Sequence, residues 1–300
     1  MSVLERAPAK INLYLHVGET GAHGRHPLES VVAFADCGDI IEARAGRGLS
    51  LALKGPFAAS LEEEPDNLVL RAARELAVEA GLDAPGAHLT LDKRLPVASG
   101  IGGGSADAAA TLRALNRLWG LNASLDDLEI VARRIGADVP ACIRSEPAFM
   151  TGTGEDVRAI ALPAFDVVLV NPDSEVPTAG VFQTFDLMGL GAQFERSPAP
   201  DWRNARDALI ALREARNDLT LPALDLAPEI GDALDALSED GDALLVRMSG
   251  SGATVFAITE DAPAARALAN RVRARQPHWW ASAARLGAMD VNSLSRPQDT

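Results

Sequence analysis

The stretch Leu95-Pro96-Val97-Ala98-Ser99-Gly100-Ile101-Gly102-Gly103-Gly104-Ser105-Ala106 puts four glycines into five positions, directly ahead of a helical pattern that runs over 106–119 and stops at Gly120. Glycine lets backbone N–H groups approach a ligand closely, and the N-terminus of the following helix adds oriented donors and partial positive charge. The combination reads as an anion site built from backbone. A Walker A loop is excluded, because no Gly-Lys is followed by Ser or Thr. A Rossmann fingerprint is excluded by spacing: counted from Gly100 it needs glycine where Ser105 stands, and from Gly102 where Asp107 stands.

Periodicity outward from the loop is mixed. Ile11, Leu13, Leu15 and Val17 alternate with Asn12, Tyr14 and His16, the period-two pattern of a strand. Further strands are expected at 28–35, 39–43, 49–53, 88–92, 148–150, 167–170, 243–247, 253–258 and 279–286. Helices are expected at 67–80, 106–119, 125–135 with Ser124 as N-cap, 204–215, 222–238 and 262–275. The chain has 300 residues, which favours two domains, with a boundary expected near Leu162-Pro163 between 1–161 and 162–300. A polar, proline-rich loop is expected at 196–203, and the tail at 296–300 reads as disordered.

The formal net charge is -14, which argues against a nucleic-acid binder and means that an anionic ligand must be held by local donors rather than by the overall field. Cys37 and Cys142 sit in no CxxC pair or ligand set and read as reduced core thiols; with no signal segment at the start and no bilayer-length apolar run, a cytoplasmic, non-membrane protein is expected. Of 28 basic residues only Lys10, Lys54 and Lys93 are lysines, which makes each a candidate for a place where an ammonium is required rather than a guanidinium, with chance as the alternative.

The segment 96–109 resembles the phosphate loop of the galactokinase, homoserine kinase, mevalonate kinase and phosphomevalonate kinase (GHMP) superfamily. Ala7-Pro8-Ala9-Lys10-Ile11-Asn12-Leu13 resembles its N-terminal motif and Met248-Ser249-Gly250-Ser251-Gly252-Ala253 its C-terminal glycine motif. Five further segments are similar to the branch whose substrate is a cytidine-diphosphate-linked methylerythritol. They are Gly24-Arg25-His26-Pro27-Leu28, Asp92-Lys93-Arg94-Leu95-Pro96, Leu118-Trp119, Gly136-Ala137-Asp138-Val139-Pro140 and Asn217-Asp218-Leu219.

The resemblance implies an α+β fold in two domains, a ribosomal-protein-like N-terminal domain and a smaller α/β sandwich that closes the cleft with Gly250 and Gly252. It implies an ATP-dependent kinase acting on an alcohol, in non-mevalonate isoprenoid precursor synthesis, with Mg²⁺ arriving on the nucleotide and no metal ligand assigned to the protein. The partner is a small molecule, the chain a monomer or homodimer. The loop residues Pro96, Val97, Ala98, Ser99, Gly100, Ile101, Gly102, Gly103, Gly104, Ser105 and Ala106 would hold ATP, Ser105 serving as a phosphate contact, a helix N-cap or both.

Taken alone, Asp138 reads as a helix-cap aspartate and Lys10 as a solvated edge-strand lysine; the resemblance makes Asp138 the base and Lys10 its catalytic partner. Asn12 and His26 would contact the substrate, and Phe182 would stack on its base. The family carries an aromatic, typically Tyr, where this chain has Arg25, so Arg25 is expected either to cover the second face of the base or to pair with the diphosphate. Two other kinase substrates, homoserine and mevalonate, a catalytically silent binding protein and a nucleic-acid module are the rival readings. The 24–28 segment, the retention of Lys10 and Asp138, and the net charge argue against them in turn.

Overall fold

The computed structural model describes residues 2–21, 24–61, 67–191 and 197–288; the tail 296–300 and residue 196 lie outside them. Two long strands, β1 (Ser2–Val17) and β2 (Leu28–Arg44), pair antiparallel from Ser2 opposite Arg44 to Val17 opposite Leu28. The register of β1 slips between Pro8 and Lys10 and again between Asn12 and Tyr14. Such bulges re-aim side chains, and here they flank Lys10 and Asn12. The first bulge also takes the Lys10 N–H off the ladder, and it donates instead to the Ile101 carbonyl at 2.9 Å. Residues 28–35 and 39–43, expected as two strands, are one. Gly38 permits the continuity, because a Cβ there would overlap the Ala7 carbonyl and lie 2.7 Å from the Pro8 Cα.

The chain continues through β3 (Leu49–Lys54), α1 (Leu68–Glu79), β4 (Ala87–Asp92), α2 (Gly103–Leu118), α3 (Leu125–Ile135), α4 (Val139–Arg144), β5 (Ala148–Thr151) and β6 (Asp156–Ala159). Side chains start the outer helices: Asn67 accepts from the Val69 N–H at 2.9 Å, and Ser124 with Asp127 forms a capping box. The buried faces of α1 to α4 close one core over β1, β2 and β4.

The second half runs β7 (Phe165–Asn171), α5 (Thr178–Leu187), α6 (Ala205–Glu214), α7 (Thr220–Leu226), α8 (Glu229–Ser238), β8 (Leu245–Met248), β9 (Val255–Thr259), α9 (Ala262–Arg275) and β10 (Trp280–Gly287). The expected single helix over 222–238 is two, because Pro228 has no N–H to continue α7 and biases Ala227 out of the helical region (φ -141°, ψ 84°). Strands β8, β9, β7 and β10 are all antiparallel, and helices α5, α7, α8 and α9 bury a second core with them. The halves share one ten-stranded sheet, ordered β3-β4-β2-β10-β7-β9-β8, with β1 and β5 also on β2; they join where Leu286 and Gly287 meet Ala35 and Phe34. The α+β class is as expected.

Candidate active site

The glycine loop lies where the halves meet. Gly100 (φ 72°) and Gly102 (φ 64°) take left-handed backbone, and Gly102 is the N-cap of α2. The helix therefore begins at Gly103, ahead of the expected start at Ala106, and Ser105 lies within its first turn instead of capping it. Early N–H groups of a helix have no intrahelical acceptor, so the first turn presents free donors and the positive end of the helix dipole.

Chain from both ends of the sequence fixes the loop. The Ser249 hydroxyl donates to the Gly100 carbonyl (3.0 Å), the Thr254 N–H to Ser99 O (3.0 Å), and the Val176 N–H to Ala98 O (3.0 Å). Asn12 N–H in turn donates to Ser249 Oγ at 3.1 Å. A Cβ on Gly100 would overlap the Ser249 carbonyl and lie 2.6 Å from Gly252 N, and one on Gly250 would lie 2.6 Å from Gly100 O.

A cleft of about 430 Å³ opens over this loop, walled by Pro96 to Gly100, Gly102 to Ser105, Lys10, Asn12, Asp138, Phe182 and Gly250. Ile101 and Ala106, expected to contact the nucleotide, are buried and absent from the wall: they face the core beneath the loop.

Lys10 and Asp138 meet in the cleft, Nζ to Oδ2 at 2.8 Å. The lysine aliphatic chain lies across Gly102, whose missing Cβ would sit 3.1 Å from Lys10 Cβ. Asp138 occupies the N-cap position of α4 without capping it, so its carboxylate is turned to the ammonium. Asn12 Nδ2 donates to Ser30 Oγ (2.7 Å), and Ser30 donates to Tyr14 O (2.5 Å), which fixes the amide with its oxygen on the other side.

His26 and Arg25 are not in the cleft wall. His26 is buried, with Nδ1 donating to Gly18 O at 2.9 Å and Nε2 3.3 Å from Thr20 Oγ1 and 3.4 Å from Asp186. Its ring stacks on Phe182 with centroids 5.1 Å apart and meets Phe185 edge-on at 5.4 Å. The ring backs Phe182, and Gly18, Thr20 and Asp186 engage its two nitrogens. Arg25 is exposed. One face of Phe182 stacks on His26, and Phe182 also lines the cleft.

A buried charge cluster under the loop escaped the sequence reading, apart from the scarcity of lysines. Lys93 Nζ lies 2.6 Å from Asp39 and 2.7 Å from Asp107. Burial opposes the Lys93 ammonium, yet Asp107 and Asp39 outweigh it and hold its pKa above the ordinary lysine value. Burial pushes the Asp107 carboxyl up, against the pull of Lys93. Among the described residues no group of three or more His, Cys, Asp or Glu is placed to hold a metal. Also among them, no helix is long and apolar enough to cross a membrane, and Cys37 and Cys142 are free thiols.

Residues 67–146 match the GHMP kinases N terminal domain, and residues 199–278 match the GHMP kinases C terminal domain. A 4-diphosphocytidyl-2-C-methyl-D-erythritol kinase from Parvibaculum lavamentivorans is 49% identical over 280 residues, covering 93% of this chain and 96% of that protein. Another of the same name, from Hyphomonas neptunium, is 47% identical over 292 residues, covering 94% and 96%. A crystal structure of 4-(cytidine 5'-diphospho)-2C-methyl-D-erythritol kinase superposes with a TM-score of 0.75 at 32% identity, over 95% of this chain and all (100%) of that one. Homoserine kinase from Cytophaga hutchinsonii, at 19% identity and a TM-score of 0.69 over 96% and 95% of the two chains, shares the fold. With its glycine loop, its paired Lys10 and Asp138, and 47–49% identity to these relatives over nearly the whole chain, the chain belongs to the 4-diphosphocytidyl-2-C-methyl-D-erythritol kinase family of the GHMP kinases.

Proposed function

We propose that this chain transfers the terminal phosphoryl group of ATP to the 2-hydroxyl of 4-diphosphocytidyl-2-C-methyl-D-erythritol, giving the 2-phosphate and ADP, in non-mevalonate isoprenoid precursor synthesis. The observation that carries the reading is the Lys10–Asp138 pair at 2.8 Å, in the wall of the cleft that the glycine loop also lines. An alcohol needs to be positioned, relieved of its proton and aimed in line at the phosphorus it attacks, while charge on the moving phosphoryl group is neutralised.

In this reading the phosphates lie over the free N–H groups of Gly103, Gly104 and Ser105, which suits a chain of net charge -14 because the donors are backbone. Mg²⁺ bound to ATP would supply neutralisation of phosphate charge. Asp138, 41% exposed, accepts the hydroxyl proton as the oxygen attacks phosphorus; the new O–P bond forms as the bond to the ADP oxygen breaks. Lys10, 4% exposed, holds the Asp138 carboxylate in place and stabilises charge developing on the substrate oxygen. Asn12 offers its amide oxygen to the substrate, and the free face of Phe182 takes the cytosine. Arg25 supplies positive charge toward the diphosphate from outside the wall.

The division into 1–161 and 162–300, action in the cytoplasm, and a monomer or homodimer working on small molecules rather than nucleic acid belong to the same proposal. ADP release measured with the cytidylyl substrate, homoserine and mevalonate side by side tests it. Turnover confined to the first is expected; homoserine or mevalonate turned over as well as the cytidylyl compound would overturn the substrate assignment.

A further inference from the structure

Under the loop, Asp39, Lys93 and Asp107 are almost wholly buried and touch one another. With both carboxylates ionised the cluster carries one net negative charge, and the two acids are not equivalent. Asp39 accepts from Lys93 and from two backbone N–H groups, Arg94 at 2.6 Å and Leu95 at 2.8 Å. Asp107 Oδ2 accepts from Lys93 alone, and its Oδ1 is buried with no partner. A buried carboxylate oxygen left unpaired favours the protonated form. Asp107 lies one helical turn beyond Gly103 with its side chain directed back toward the helix start. Lys93 Nζ, bonded to it, is 3.0 Å from where a Gly103 Cβ would stand, and Asp107 and Lys93 both line the cleft. An ionised Asp107 therefore opposes the positive helix end on which an anion would sit.

We infer that Asp107 is a proton-coupled positioning residue for the phosphate loop, protonated when the loop holds a phosphate-bearing nucleotide, so that nucleotide binding takes up a proton. The inference rests on the proposal that the loop takes ATP. Phosphate charge beside the cluster raises the proton affinity of the second acid, just as one of two adjacent carboxylates retains its proton. The carboxyl is already poised, pushed up to about 8 by burial against the pull of Lys93.

The other charged groups around α2 are accounted for. Arg113 and Arg117 on α2 are both bound to Glu5 of β1. Lys10 of β1 is paired with Asp138 at the start of α4. Cys142 of α4 is pushed up to about 12 by burial. Helices α1 and α3 bury only apolar side chains toward α2, among them Val69, Leu76 and Val131.

Calorimetric titration with ATP and Mg²⁺ between pH 7.5 and 9.5, each in two buffers of different ionisation heat, tests the inference; the terminal phosphate, with a second pKa of about 6, is already ionised there. The wild type is expected to take up a proton on binding and to lose affinity by up to about tenfold per pH unit above pH 8, the slope of one linked proton. Asp107→Asn, with folding checked by circular dichroism, is expected to bind without proton uptake, with an affinity that stays near the wild-type value at pH 7.5. Heats independent of buffer in the wild type would overturn the inference, and so would Asp107→Asn binding weaker than wild type at every pH. Loss of the Mg²⁺ dependence of ATP affinity in that variant would instead make Asp107 a cation ligand and overturn it too. Wild type that binds no ATP at any pH would overturn the loop proposal itself, a distinct result.

Discussion

The Lys10 ammonium and the Asp138 carboxylate meet at 2.8 Å with unequal exposure, 4% for the lysine and 41% for the aspartate. The cation is walled in and the anion is open to the cleft. A base has to be reached by its substrate, whereas the charge that supports it works best shielded from water. Asp138→Asn keeps the shape and removes the proton acceptor. Turnover is expected to fall by at least about 10²-fold, the lower end for general-base catalysis, with ATP affinity by calorimetry unchanged. Turnover within a few-fold of wild type would remove Asp138 from the chemistry.

Gly100 and Gly120 both adopt positive φ, but only Gly100 is enclosed by backbone; a Cβ on Gly120 meets nothing within 4 Å. Gly120→Ala should cost about 1–2 kcal/mol, the strain of left-handed backbone alone. Gly100→Ala carries the same strain plus overlap with the Ser249 carbonyl, so urea denaturation should show a clearly larger loss. Equal losses would mean that the C-terminal glycine segment does not clamp the loop.

Gly103→Val places a branched side chain on the first residue of α2, against a Lys93 ammonium that two carboxylates hold in place. The variant is expected to fold, by circular dichroism, and to bind ATP more weakly by calorimetry. Unchanged affinity would sink the assignment of this loop to the phosphates.

Lys93→Ala leaves two carboxylates in a buried site with no cation between them. Breaking a buried ion pair from one side costs about 3–5 kcal/mol, so the midpoint of urea unfolding should fall sharply. A loss below about 1 kcal/mol, the range of an exposed pair, would show that water reaches the cluster.

Phe182 and Arg25 should separate by salt. Phe182→Ala is expected to cost about 1–3 kcal/mol of substrate affinity at any ionic strength, the range for a base on an aromatic face. Arg25 is exposed and outside the cleft wall. Arg25→Ala should therefore weaken substrate binding at low salt and approach wild type when salt shortens the screening length. A salt-independent deficit in Arg25→Ala would instead put the guanidinium in contact with the substrate.

Chemistry written in contiguous residues was legible in the sequence. The glycines at 100 and 102–104, the Ser124 cap and the alternation along 11–17 are local patterns, and local backbone preference decides them. Helix α5, which carries Phe182, was not anticipated, because its sequence is rich in Thr, Val and Phe and its helical form depends on packing against α7 and the second core. The fusion of 28–35 with 39–43 depended on what Gly38 passes, and the division of 222–238 on how strongly Pro228 acts, a local signal that the helical pattern masked.

The sequence by itself determined the mixed class and the glycine loop ahead of a helix, and its resemblance to a kinase family singled out Lys10, Asn12 and Asp138. Tertiary structure alone decided which of them meet. Lys10 reaches Asp138 because a bulge re-aims it and Gly102 leaves room, His26 turns behind Phe182 because Gly18 and Asp186 engage its nitrogens, and Asp39, Lys93 and Asp107 converge from separate elements. The physical reason is range: backbone preference and periodicity act over a few residues along the chain, whereas charge pairing and close packing act over a few ångströms in space, between residues whose separation in sequence carries no trace of that proximity.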